Sequence, residues 1–307
     1  MMPFTVHTPD GIALAGSLAQ APEPRGTVII RTPYDRTVHD AQARSWQARG
    51  YTCLIADVRG RYESTGPWHP YHREGADGEA TVRAVLGATW HRGGITLLGS
   101  SYAAHCALET ARTLTGTPDL AARLTGVVAL VPALGRYETA RDPQGRPRLR
   151  DRLGWWFEHG FGARSGPPLG DERAAALLSH AESAGPEATH PLPNPTLAEA
   201  ALWRELWAAP RTDLRSRYAR VTPPLLVVTG TTDFFVQEAL DLYDSWPQPA
   251  NLICGPWGHR LTADRTAGRP ADPREKAPGH GDSIGARIVA WLQDPQSTPA
   301  PPRPRTP

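Results

Sequence analysis

The feature that most constrains the fold of this 307-residue chain is a set of six short aliphatic runs. Each run is bounded by glycine, proline or polar residues. Their apolar residues are continuous rather than alternating, which is typical of strands buried on both faces of a mostly parallel sheet. Helix-like patterns at 39–50, 75–90, 102–116 and 283–294 separate or follow them. This alternation predicts an α/β protein with a doubly wound sheet. The runs are TVIIR at 27–31, YTCLIADV at 51–58, GITLLG at 94–99, GVVALVP at 126–132, PLLVVTG at 224–230 and NLICGP at 251–256.

Two stretches depart from this alternation. Residues 4–19 alternate apolar and polar positions on both sides of Pro-Asp-Gly, which predicts a hairpin before the first parallel strand. Residues 134–222 are rich in Trp, Arg and Pro and predict helices inserted before the penultimate strand, as a cap or lid or as a simple packed extension. Residues 1–133 and 223–294 then form the core, and the proline-rich residues 295–307 are expected to be a disordered tail.

Charge and cysteine content exclude several classes of function. The 33 basic and 31 acidic residues are scattered along the chain, so we expect neither a nucleic-acid nor a membrane partner. The three cysteines lie far apart in apolar runs, which argues against a disulfide framework or a zinc site. The first residues lack a signal-peptide pattern and no apolar run approaches the length of a membrane span, so we expect a cytoplasmic protein.

Two serines stand at a predicted strand-to-helix junction within LLGSSYAAH, residues 97–105. In a nucleophile elbow the serine occupies a strained turn, and the residues two positions before and after it must be small. Ser101 has Gly99 and Ala103 at these positions, whereas Ser100 would have a leucine and a tyrosine there. The pattern favours Ser101 as a nucleophile over the alternative that Gly-Ser-Ser merely caps the helix.

A serine nucleophile needs an adjacent base at neutral pH, and the chain supplies a candidate acid and base. Asp233 follows the predicted strand that ends at residue 230, and His259 follows the strand at 251–256. Their order after Ser101 is that of the α/β-hydrolases. We predict that His259 takes the proton from Ser101 and that Asp233 orients the imidazole. A helix cap for Asp233 and a loop role for His259 are the alternatives.

Four segments resemble the X-Pro dipeptidyl-peptidase-like hydrolases, of the cocaine esterase and α-amino-acid ester hydrolase type, over most of residues 1–294. The resemblance implies an α/β-hydrolase fold and an oxyanion hole formed by the hydroxyl of Tyr34 and the backbone N–H of Tyr102. The block at 57–66 is expected to be mainly architectural. The segments are RTPYDR at 31–36, DVRGRYESTGPWHPYHREGADG at 57–78, GSSYAAH at 99–105, and VTGTTDFFVQEALDLYDSW with LICGPWGH at 228–246 and 252–259.

The chain departs from this family at two places. Ala103 stands where the family usually has glycine, a change that a small side chain should tolerate. Larger members continue into a C-terminal jelly-roll β-domain that borders the active site, whereas this sequence ends after one predicted helix and the proline-rich tail. A pocket closed differently, or left more open, is therefore expected in this short form.

The residues predict a serine hydrolase that cleaves a small-molecule ester or amide through an acyl-enzyme on Ser101, with no metal or organic cofactor. An acyltransferase or cyclase is the alternative, since a tryptophan-rich insert could form a dry lid. A non-catalytic binding protein ranks lower, because all three triad candidates are present. The candidate substrate-binding residues are Trp155, Trp156, Trp203 and Trp207, although aromatic residues of this kind more often pack in a core. The acyl group, the leaving group and the oligomeric state stay open.

Overall fold

The computed structural model describes residues 1–261 and 284–294 and contains one eight-stranded sheet of order β1-β2-β4-β3-β5-β6-β7-β8. β1 pairs antiparallel with β2, and β2 pairs antiparallel with β4. The other neighbours are all parallel. The strands are β1 (Met2–His7), β2 (Ala13–Ala19), β3 (Gly26–Thr32), β4 (Thr52–Asp57), β5 (Gly94–Ser100), β6 (Leu124–Leu130), β7 (Leu225–Gly230) and β8 (Ala250–Gly255).

Helices connect the parallel strands, as the alternation predicts. Those between or after strands of the sheet are α1 (Asp40–Ala48), α2 (Glu74–Gly87), α3 (Tyr102–Leu114), α4 (Pro118–Ala121), α10 (Val236–Ser245) and α11 (Ile284–Gln293). Those inserted between β6 and β7 are α5 (Arg136–Ala140), α6 (Leu149–Trp155), α7 (Asp171–Ala184), α8 (Leu197–Ala208) and α9 (Leu214–Tyr218). A short 3₁₀ helix spans Arg36–His39, and a π-helical turn at Trp156–Gly160 continues α6.

The central strands are covered on both faces. In β5, Leu97 belongs to a buried cluster that includes residues of α2, α3 and α10, whereas its neighbour Leu98 belongs to a second cluster that includes residues of α1 and α11. Val127 and Val128 of β6 divide in the same way, because successive side chains of a strand point to opposite faces. Burial on both faces explains why these runs are continuously apolar and confirms the doubly wound sheet.

The helices inserted before the penultimate strand have an apolar core of their own. This core includes Leu153 of α6, Leu206 of α8 and three tryptophans. The division into core and cap at 134–222 stays a prediction, and the predicted tail at 295–307 lies outside the described residues. Within the described ranges, no helix combines the length and the apolar character that crossing a membrane requires.

Candidate active site

Ser101 occupies a strained turn between β5 and α3. Its φ of 56° and ψ of −119° lie in a region that residues other than glycine rarely adopt. A Cβ atom on Gly99 would lie 2.0 Å from the carbonyl oxygen of Ala103, so the turn can close only with glycine at position 99. The amide of Ser101 donates to the carbonyl of Leu130 at 2.9 Å, which fixes the turn against β6. The strained serine of the sequence prediction is therefore present.

Ser101, His259 and Asp233 form one chain of hydrogen bonds. His259 Nε2 lies 3.0 Å from Ser101 Oγ, and His259 Nδ1 lies 2.8 Å from Asp233 Oδ1. Asp233 is only 3% exposed, whereas the imidazole is partly exposed. The structure thus brings together three residues that are separated by 132 and 26 positions along the chain, counted from the residue numbers 101, 233 and 259.

Close backbone packing holds the Asp233 and His259 loops together. A Cβ atom on Gly230 would lie 1.8 Å from the carbonyl oxygen of Trp257, so this approach requires glycine at the end of β7. The amide of Thr232 donates to the same Trp257 oxygen at 3.1 Å. The two loops are therefore joined directly beside the carboxylate–imidazole contact, which sets its geometry.

The His259 ring is enclosed by two phenylalanines that the sequence reasoning did not single out. Phe234 stacks on the imidazole with ring centroids 4.3 Å apart, and Phe235 meets it edge-on at 5.5 Å. Phe235 is buried, whereas Phe234 is 43% exposed despite its size. Their position directly after Asp233 was the available signal, because a residue beside a candidate site residue shares its loop. The pair limits rotation of the imidazole.

Tyr34 lies just beyond the end of β3 and lines the same cavity as Ser101. Its hydroxyl oxygen accepts a hydrogen bond from Trp155 Nε1 at 2.9 Å, and its ring meets His159 edge-on at 5.0 Å. Burial raises the pKa of the Tyr34 hydroxyl to about 12, with the Trp155 hydrogen bond acting in the opposite direction. The phenol therefore keeps its proton at neutral pH and can donate it in a hydrogen bond.

Tyr102 presents its backbone and its side chain to different surroundings. As the first residue of α3, its amide has no acceptor within the helix and lies next to Ser101. Its phenol is buried, donates to Glu74 and accepts from the Tyr71 amide at 2.7 Å. The ring also stacks on Trp155 at 5.7 Å with an interplanar angle of 12°. The side chain is thus held by the fold, which leaves the amide as the group free to act.

The block at 57–66 supports the site from outside. Arg36 binds Asp57 through both its amide and its guanidinium. Arg61 donates to the carbonyl of Pro33 at 3.0 Å and to that of Gly162 at 2.8 Å. Arg61 thereby connects the Tyr34 loop to the segment after α6. These contacts fit the architectural role that was expected for the block.

The four candidate tryptophans fall into two groups. Trp155 lines the cavity that holds Ser101. Trp156, Trp203 and Trp207 are each 1% exposed and pack against one another in the core of the inserted helices. These three do not line the Ser101 cavity and are core residues of the inserted helices. Of the four tryptophans, only Trp155 is in a position to contact a substrate.

The cavity around Ser101 has a volume of about 1180 Å³. It opens over the carboxyl ends of β3 and β5, and the inserted helices close one side of it through α6. Apolar and aromatic side chains form much of the wall, together with Arg152, Glu158 and His159. Burial, followed by the neighbouring Arg61, lowers the pKa of His159 to about 4, so this ring is neutral at pH 7. The described residues contain no cluster of three or more His, Cys, Asp or Glu arranged for a metal ion.

Comparison with known proteins gives one family and several similar folds. The X-Pro dipeptidyl-peptidase (S15 family) profile matches residues 8–260. Cocaine esterase from Rhodococcus sp. (strain MB1 Bresler) is 27% identical over 293 aligned residues, which cover 85% of this chain and 49% of the esterase. This chain thus spans about half the length of that relative.

Two solved structures share the fold at low sequence identity. An α-amino acid ester hydrolase has a TM-score of 0.60 and 19% identity, over 84% of this chain and 48% of that one. The α/β hydrolase GrgF from Penicillium sp. sh18 also has a TM-score of 0.60, with 17% identity over 97% of this chain and 99% of its own. These likenesses confirm the predicted α/β-hydrolase fold.

Proposed function

Because the chain belongs to the X-Pro dipeptidyl-peptidase (S15) family, we propose that it is a serine hydrolase that cleaves a carboxylic ester or amide through an acyl-enzyme on Ser101. The observation that carries the proposal is the continuous contact from Asp233 through His259 to Ser101, at 2.8 and 3.0 Å. The relative that is 27% identical is named an esterase, which agrees with this chemistry.

In the proposed reaction His259 Nε2 accepts the Ser101 hydroxyl proton as the oxygen attacks the substrate carbonyl. The buried Asp233 carboxylate accepts from Nδ1, fixes the tautomer and stabilises the imidazolium. His259 then gives the proton to the leaving alcohol or amine. Water, activated by the same imidazole, cleaves the acyl-enzyme and restores Ser101.

Two donors would stabilise the negative oxygen that develops on the substrate. They are the phenol of Tyr34 and the amide of Tyr102, which approach from different elements beside Ser101. The Trp155 indole N–H occupies an acceptor site of the Tyr34 oxygen, so the phenolic hydrogen can point elsewhere. Trp155 is therefore proposed as a positioning residue for the oxyanion donor.

Hydrolysis is proposed rather than acyl transfer, because three of the four tryptophans that suggested a dry lid pack in the core. The transfer and cyclisation alternatives stay predictions that product analysis with a competing amine or alcohol tests. The cytoplasmic location and the absence of nucleic-acid, membrane and cofactor partners likewise stay predictions.

A matched pair of serine variants tests the proposal. Wild type, Ser101→Ala and Ser100→Ala are compared in the hydrolysis of a neutral aryl ester. Ser100 also lines the cavity, but the hydroxyl that hydrogen-bonds to His259 is that of Ser101, so Ser100→Ala controls for the loss of a nearby hydroxyl. We expect Ser101→Ala to abolish turnover and Ser100→Ala to retain most of it. Persistent turnover in Ser101→Ala would reject the proposed function.

A further inference from the structure

Arg152 is a buried cation in the wall of the Ser101 cavity. It lies in α6, one turn of helix before Trp155, and is 5% exposed. Both residues line the cavity, so the guanidinium lies on the side where α6 faces the site. Its charge also acts on two phenols of that wall, those of Tyr34 and Tyr71. Burial raises the pKa values of both phenols, and the positive charge of Arg152 partly opposes this rise.

The guanidinium of Arg152 makes no hydrogen bond and no ion pair within the described part of the chain. Its Nε is covered from solvent and has no acceptor. The four other buried arginines each make at least one hydrogen bond, although Nε and Nη2 of Arg31 also lack an acceptor. Arg31 donates to the Glu74 carbonyl, Arg36 binds Asp57 and Glu63, Arg59 binds Asp77 and Asp10, and Arg61 donates to Pro33, Gly162 and Ser165.

Neighbouring carboxylates do not neutralise this cation. Asp151 and Glu158 also line the cavity, and the charge of Asp151 acts on Arg152 through space. Asp151 is exposed, however, and Glu158 lies 3.3 Å from His159 Nε2, so neither forms an ion pair with Arg152. One turn earlier in the chain, Arg148 already binds Glu238 at 2.7 Å. Burial lowers the pKa of Arg152, yet a guanidinium keeps its charge in proteins.

A buried charge is costly unless it is paired and hydrogen-bonded, and stability is often given up at sites that serve function. A guanidinium presents a planar fork of N–H donors that matches a carboxylate in two parallel hydrogen bonds. We propose that Arg152 binds a free carboxylate of the substrate. This inference rests on the proposed function, and it names the substrate class: esters or amides that carry a free carboxylate at a distance from the scissile bond.

The carboxylate could belong to the acyl group or to the leaving group, and two substrate pairs distinguish these sources. For the acyl side, phenyl half-esters of glutaric, adipic and pimelic acid are compared with phenyl esters of monocarboxylic acids of equal length. For the leaving group, 4-acetoxybenzoate is compared with its methyl ester. We expect wild type to prefer the charged member of one pair by about 10- to 100-fold in kcat/KM, the range of a hydrogen bond to a charged group.

Two variants on the same helix give the control. Arg152→Gln removes the charge, whereas Arg150→Gln removes one from an exposed arginine that pairs with Asp171 on the surface. Arg152→Gln should lower kcat/KM for the charged ester at least about 10-fold more than for its neutral partner, mainly through KM. Arg150→Gln should keep the preference. Equal losses of kcat/KM on the charged and neutral esters would overturn the proposal and make Arg152 an electrostatic support of the oxyanion. The proposal would also fail if wild type preferred the charged ester in neither pair.

Two measurements do not depend on turnover. Ser101→Ala protein should bind adipate in calorimetry, and the Ser101→Ala, Arg152→Gln double variant should not. Arg152→Gln alone should melt at or above the wild-type temperature, because it removes an uncompensated charge. A clear drop in melting temperature would show a structural role and reject the proposal. If no ester is cleaved, the proposed function fails while the adipate comparison still decides the role of Arg152.

Discussion

Replacing Tyr34 by phenylalanine removes one of the two proposed oxyanion donors and keeps the ring that contacts His159. The second donor, the Tyr102 amide, remains in place. Loss of one oxyanion donor costs about 3 kcal/mol, or roughly 100- to 1000-fold in kcat. The loss should fall on kcat and leave KM nearly unchanged, because the negative oxygen exists in the transition state and not in the bound ester.

The same change leaves the Trp155 indole N–H without its acceptor, which adds a cost in stability of about 1–3 kcal/mol. Tyr218→Phe is the matched control, since Tyr218 is also buried and its hydroxyl donates to Glu109 at 3.3 Å. It should lower the melting temperature without lowering kcat. Steady-state kinetics with a neutral aryl ester and thermal unfolding measure both effects.

Trp155→Phe completes a cycle that isolates the orientation of the phenol. Alone, it should reduce kcat about 10-fold, since the Tyr34 hydroxyl then rotates freely and spends less time aimed at the oxyanion. In a Tyr34→Phe background it should have little further effect on kcat. A loss below 10-fold for Tyr34→Phe, a loss carried by KM, or additive losses in the double variant would each refute the assigned role of Tyr34.

Three further predictions concern the base, the turn and alkaline stability. Asp233→Asn should lower kcat by roughly 10⁴-fold with the fold intact by circular dichroism, because the imidazole loses its orienting carboxylate; a loss under 10-fold would contradict this. Gly99→Ala should lower the melting temperature, since the added Cβ would lie 2.0 Å from a carbonyl oxygen. Gly87→Ala is the control: its Cβ would enter open space, so the melting temperature should stay unchanged or rise. Burial raises the pKa of Tyr34 to about 12 and raises that of Tyr102 as well. Unfolded tyrosines ionise near pH 10, so above that pH the unfolding free energy in denaturant titrations should fall more steeply for wild type than for Tyr34→Phe.

The strands and the nucleophile could be predicted because local residues determine them. Glycine and proline mark the ends of the aliphatic runs, and every predicted parallel strand agrees with the structure to within two residues at each end. Ser101 could be chosen over Ser100 on steric grounds, and the 2.0 Å approach at Gly99 is the contact that those grounds anticipate. Requirements of this kind are visible in the sequence itself.

Other parts of the site depend on contacts between distant elements. The sequence around Tyr34 carries no signal for its role, which came from family resemblance alone. The sequence could not show which tryptophans of the inserted helices line the cavity and which pack in the core, because both positions favour the same residue type. The burial of Arg152 without a hydrogen-bond partner for its Nε is likewise a property of the packed chain, since Asp151 is exposed and Glu158 lies against His159.

The central claim is that Ser101 is the nucleophile, and its most direct test is to locate a covalent adduct. Wild-type protein is treated with a fluorophosphonate, digested, and sequenced by mass spectrometry through the peptide that contains both Ser100 and Ser101. We predict a single added mass on Ser101, which disappears in Ser101→Ala and slows greatly in His259→Ala. An adduct on Ser100, an adduct elsewhere in the chain, or no adduct at all would contradict the claim.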